Sequence, residues 1–126
     1  MLKVSIICIL IFLFMDALWI GLVVKNLYSV QFGSLINSPA PRWLGVILAY
    51  VGIISGIIFL VLTRVDSGSL MAIVFGALYG FATYGTYAFT SYAIFSNWPL
   101  SIALCEVLWG MIICGTTSYL ASWFLP

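Results

Sequence analysis

The chain alternates long apolar runs with short polar interruptions. The first run covers 2–24 and is broken only by Lys3, Ser5 and Asp16. The second covers 43–62 and ends in the polar stretch Thr63 to Ser69, the third covers 70–94, and the fourth, after Phe95-Ser96-Asn97, covers 98–123. A helix of ~20 apolar residues crosses the ~30 Å hydrocarbon core of a bilayer. The pattern therefore predicts an all-α, four-transmembrane-helix bundle. Short second and third connections make successive helices antiparallel neighbours, which gives up-down topology. Residues 1–126 read as a single integral membrane domain.

The remaining connection, 25–42, is polar and contains Asn26, Gln31, Asn37, Pro39 and Pro41. Its first half suits the membrane interface, where Tyr28 would be at home. The two prolines predict a turn, since each removes a backbone donor and disfavours helix before it. At the fourth run Pro99 is expected in the first helical turn, where its missing N–H is harmless. The first run is too long for a signal peptide, holds a carboxylate near its end and lacks a small-x-small cleavage site. It reads as a retained helix.

Composition agrees with a membrane class. The 126 residues are 65% hydrophobic, against ~45–50% in soluble domains. Mean hydropathy is +1.28. Only 6% of residues are charged and there is no His. No Lys/Arg cluster exists to displace counterions from phosphates, so nucleic acid is not a predicted partner. His-based catalysis and His-containing metal sites are excluded. No cofactor or metal is predicted, because Cys8, Cys105 and Cys114 lack ligand spacing and read as small buried hydrophobes. Basic residues divide evenly, Lys3 and Arg64 on the side of the termini against Lys25 and Arg42 on the other. Lys3 coming first, and the absence of a basic residue from the third connection, favour termini in the cytoplasm of a bacterial inner membrane.

Lipid tails give helices no hydrophobic reason to associate, so small residues that allow close approach carry the packing. Gly45, Ala49, Gly52 and Gly56 share a face of the second helix. Gly76 and Gly80 form a GxxxG in the third, on a face that runs on to Thr83, Tyr87, Thr90 and Ser91. Glu106, Gly110, Thr117 and Ala121 align in the fourth. Gly52, Gly56, Gly76, Gly80 and Gly110 are the predicted packing positions.

The chemistry concentrates in two acids. A carboxylate at mid-bilayer costs roughly 2.5–3.5 kcal/mol, so it faces the interior and has partners. Asp16 lies eight residues before Val24, and Glu106 lies seven after Pro99. Each is then about 10–12 Å below the same membrane surface. Tyr84, Tyr87 and Thr90 fall near that level on the third helix. The predicted object is one polar layer, in which two facing acids disfavour double ionisation and share a proton. Asp16 and Glu106 are each followed three residues later by a Trp, Trp19 and Trp109, placed to cover its own acid. The two copies run in opposite directions, an arrangement transporters use.

Met15-Asp16-Ala17-Leu18-Trp19, Tyr28, Tyr84-x-x-Tyr87-x-x-Thr90, Trp98-Pro99, the acid at 106 and Trp109-Gly110 together resemble the bacterial membrane-protein family known as domain of unknown function 2177. The resemblance runs over essentially the whole chain. It implies a four-helix integral membrane protein and carries no biochemical activity. Where the family's third helix reads Tyr-Asp-x-Thr-Asn, this chain has Tyr87-Ala88-Phe89-Thr90-Ser91. Glu106 stands where the family usually has Asp. Those departures remove one carboxylate and one amide.

Three functions compete at this level. The favoured one is proton- or cation-coupled transport, or binding, of a small or amphiphilic molecule at Asp16 and Glu106, with Tyr84, Tyr87, Thr90, Trp19 and Trp109 around it. The others are a membrane-embedded lipid-modifying enzyme or accessory, which lacks a Ser/His/Asp, Cys/His or metal constellation, and a structural subunit of a membrane complex. Predicted partners are the lipid bilayer and a lipid or small-molecule ligand. A homodimer would enclose a pathway, though no motif specifies one.

Overall fold

The computed structural model describes residues 1–24 and 42–126. Except for Arg42, the predicted connection 25–42 lies outside them. The described residues are helical, without a strand. They form α1 (Leu2–Trp19), α2 (Trp43–Gly56), α3 (Met71–Ile94) and α4 (Leu100–Ser122). A π-helical turn extends α1 through Ile20–Val24, and another extends α2 through Ile57–Val61 before a 3-10 turn at Leu62–Arg64. All four are long and apolar enough to cross a membrane. Helix is the form that these runs can take there, since lipid offers nothing to an unpaired N–H or C=O.

The helix ends differ slightly from expectation. Pro99 caps α4 in an extended conformation, φ −69° and ψ 143°, instead of lying within its first turn. Its carbonyl accepts from the Ala103 amide at 3.2 Å, so the ring pre-sets the chain direction into the helix. Leu70 likewise caps α3. In the α2–α3 turn Gly68 has φ +69° against the Trp123 ring, a left-handed position that favours glycine.

α4 is the central helix. Half of its most apolar stretch is buried, against 17%, 22% and 28% for the other three. It packs most closely on α3 through glycines. A side chain at Gly76 would strike the Cys114 carbonyl and the Ser118 hydroxyl, and one at Gly80 would strike the Gly110 backbone. The buried face of α3 therefore steps by fours through Ala72, Gly76, Gly80, Tyr84 and Ala88, then to Ser91.

The larger core cluster sits toward the termini, and a smaller one of Ala88, Ala103 and Val107 lies between α3 and α4 at the other end. Val4, Cys8 and Phe12 step down α1 onto Ile54, Ile57, Ile58 and Leu62 of the α2 segment and onto Ile113 and Cys114 of α4. No residue of α2 before Ile54 is buried. The expected glycine face of α2 is accordingly revised: Gly45 and Gly52 have open space where a side chain would be, and only Gly56 is closely approached, by Tyr79. Before Ile54, α2 is exposed or half-buried, and it meets the core through Ile53 and through Tyr50, whose ring is edge-on to Phe12 at 6.0 Å.

Candidate functional site

Each polar side chain of the site extends a buried stripe into the less tightly packed half of the bundle. Asp16 follows Val4, Cys8 and Phe12 at four-residue steps, so it points inward like them. Tyr50 continues the α2 stripe of Ile54, Ile57 and Val61 by one turn. Tyr84 continues Gly76 and Gly80. Its ring packs where Gly110 has no side chain, so that glycine is the seat of the tyrosine.

Asp16 ties three helices together. The Tyr50 hydroxyl of α2 donates to one carboxylate oxygen. The Trp109 indole N–H of α4 donates to the other at 3.3 Å. Trp19 stacks on Trp109 with ring centroids 4.6 Å apart and planes within 5°. The expected pairing of each Trp with its own acid is therefore corrected. Trp109 serves Asp16, one helix away, and Trp19 serves Trp109. Antiparallel helices cause the exchange, since a step of three residues down α4 meets a step of three up α1.

Glu106 is 8% exposed. It is one turn from Trp109, about 4.5 Å along the axis, on the side away from the core. No hydrogen bond joins the two carboxyl groups, and among the described residues neither makes an ion pair. No group of three His, Cys, Asp or Glu side chains gathers to hold a metal among those residues.

Two predicted members of the layer lie elsewhere. Tyr87 is 49% exposed, its ring edge-on to Trp98 at 5.9 Å. Thr90 is exposed on the outer face of α3, beside Thr86 and Phe89. At about 100° per residue, Tyr87 is turned roughly 60° and Thr90 roughly 120° from Tyr84, which takes both off the buried stripe. Tyr50 is the residue that sequence reasoning missed. It lies seven residues after Trp43, the depth reckoned for Asp16 and Glu106, and the same arithmetic would have found it.

A cleft of about 280 Å³ opens beneath the first half of α2, lined by Phe12, Asp16, Tyr50 and Tyr84 among others. A second, of about 450 Å³, lies between α2 and α3, with Tyr79, Thr83, Tyr84 and Tyr87 along it. Tyr79 crosses that gap, its hydroxyl donating to the Ile53 carbonyl at 3.0 Å. Tyr84, Ala49 and Ile53 border both clefts. An ionised carboxylate offers about four acceptor positions, and the two donors take two. Asp16 thus has acceptor capacity left on a cleft open at the level of lipid.

Among known proteins, the chain matches over residues 1–123 the model of a family described as a predicted membrane protein of unknown function. No curated protein and no solved structure matches it.

Proposed function

We propose a function for a chain that belongs to the DUF2177 family of predicted membrane proteins, a description that names no activity and leaves the site to supply it. The protein is an integral, multi-pass membrane protein. Its function is proton- or cation-coupled binding and transport of a small or amphiphilic molecule, with Asp16 as the exchange point and Glu106 as the second acid. One observation carries this reading. Asp16 lines a cleft at bilayer depth, held by two uncharged donors and by no basic residue among those described. A carboxylate in such a place is compensated by a proton or by a cation that enters. An acid that moves between those two partners couples them.

The test is charge movement on a solid-supported membrane carrying proteoliposomes. A pH step should evoke a transient current in the natural protein. Asp16→Asn should abolish it and Glu106→Gln should shift its pH dependence, with both variants still monodisperse in detergent. An unchanged current in Asp16→Asn would overturn the reading.

A structural role is the second reading, and a specific observation favours it: both oxygens of Asp16 bridge to other helices. On that reading Asp16→Asn loosens the bundle, at about 0.6–2 kcal/mol per interhelical contact, and no current exists to lose.

A further inference from the structure

We propose that the molecule taken at Asp16 is a single-chain alkylammonium amphiphile, its head in the Asp16 cleft and its tail in the groove between α1 and α2. This rests on the transport reading above and names its substrate class. The groove has a volume of about 490 Å³. Ile9 and Leu13 of α1 face Val51, Ile54 and Ile58 across it. Its two serines are already engaged within their own helices. Ser5 donates to the Met1 carbonyl at 2.7 Å and Ser55 to the Gly52 carbonyl at 3.1 Å. The groove therefore accepts hydrocarbon and offers a polar head nothing.

Tyr50 joins the two spaces. It borders both the groove and the Asp16 cleft, and its hydroxyl is bonded to Asp16. A molecule reaching from one space to the other passes its ring. From Ser5 to Asp16 is eleven residues, about 16 Å of helix. One acyl chain spans about half of the ~30 Å hydrocarbon core, ~15 Å. Groove and Asp16 cleft together thus have the length of one chain.

The sign of the head follows from the acids. An anionic head would meet the Asp16 carboxyl that lines the cleft, and a neutral one would bring no counter-charge to it. A quaternary ammonium gains both the charge and the faces of Tyr50 and Tyr84, the pairing by which aromatic side chains hold such cations.

The experiment is photolabelling of the full chain in nanodiscs of phosphatidylcholine and phosphatidylglycerol. The probes are two dodecyltrimethylammonium derivatives, one with a diazirine at the tail end and one with it beside the head. The tail-end probe should mark Ser5, Ile9 and Ser55. The head-end probe should mark Val46, Tyr50 and Tyr84. Labelling should fall about tenfold, or ~1.4 kcal/mol, with excess unlabelled dodecyltrimethylammonium and in Asp16→Asn. The competition arm uses the natural protein, so it decides the matter even where the variant misfolds.

Adducts spread equally over Leu104 and Leu108 of α4, which face outward, would overturn the groove assignment. So would equal, uncompeted labelling by a diazirine phosphatidylcholine, which makes the groove an ordinary lipid seat, or adducts that link two copies of the chain. Any of these with the Asp16-dependent current intact removes the tail site and spares the transport reading. Loss of that current's dependence on Asp16 removes the transport reading itself.

Discussion

Tyr50 and Trp109 each give Asp16 one hydrogen bond, from 34 and 93 residues away along the chain. Contacts so distant in sequence connect helices that α1 touches nowhere else at this level through a polar group. Tyr50→Phe should therefore destabilise the protein by about 0.6–2 kcal/mol, read from dodecyl-sulfate-driven unfolding in mixed micelles. Trp109→Phe should cost a similar amount, since it loses the N–H but keeps a ring against Trp19. Trp109→Ala should cost about 0.5–1.5 kcal/mol more for the lost stacking. Equal losses for the two Trp109 variants would mean that the ring contributes nothing. Depth along each helix was readable from the sequence, which is why Asp16, Glu106, Trp19 and Trp109 were found together. Partnership was not, because i and i+3 spacing shows what shares a helix face and nothing about the facing helix. Trp109 looked like the cover of Glu106 for that reason.

At the scale of helices, a small residue permits close approach but does not say whether the approach is used. α2 and α3 both carry a four-step row of glycines, and only α3 uses its row against a backbone, at Gly76 and Gly80. Gly80→Ala sets a methyl against the Gly110 carbonyl, which has no rotamer to turn away. A loss of about 1–3 kcal/mol is expected. Gly52→Ala meets open space and should gain up to ~1 kcal/mol from helix propensity. The same unfolding assay reads both, and a Gly52→Ala loss comparable to that of Gly80→Ala would contradict the open first half of α2. Span lengths were legible because bilayer thickness fixes them. Faces were harder, since amphipathic contrast vanishes where the surroundings are as apolar as the core. The polar residues of α3 drew its face toward Tyr87 and Thr90, whereas the glycines, continued by fours to Tyr84 and Ala88, mark the true one.

Over the whole molecule, the larger apolar core and the polar chemistry lie toward opposite ends. The half near the termini holds the buried side chains Val4, Phe12, Ile57, Leu62 and Ile113, while the other half buries Ile102 and the smaller cluster of Ala88, Ala103 and Val107 between α3 and α4. That other half also holds Asp16, Tyr50, Tyr84 and Glu106, with one cleft beneath α2 and one between α2 and α3. The π-helical turn at Ile57–Val61 marks the boundary on α2, and such turns recur at functional sites. From Ile54 through that turn α2 is anchored in the core, and before Ile54 it leans over the acid with no buried residue. On the alkylammonium reading, a molecule entering from the bilayer passes between α1 and the first half of α2. Leu13 and Ile47 both border that passage. Cysteines at these positions, in a chain with Cys8, Cys105 and Cys114 replaced by alanine, joined by a short bifunctional thiosulfonate, should close it. Binding of the alkylammonium probe should be lost on bridging and recovered on reduction, while the pH-step current, which needs protons alone to reach Asp16, persists in part. Full probe binding in the bridged protein would mean that the molecule reaches Asp16 from the α2–α3 side, past Tyr79 and Tyr87. The tyrosines there would then be the entrance and the α1–α2 groove only the resting place of the tail.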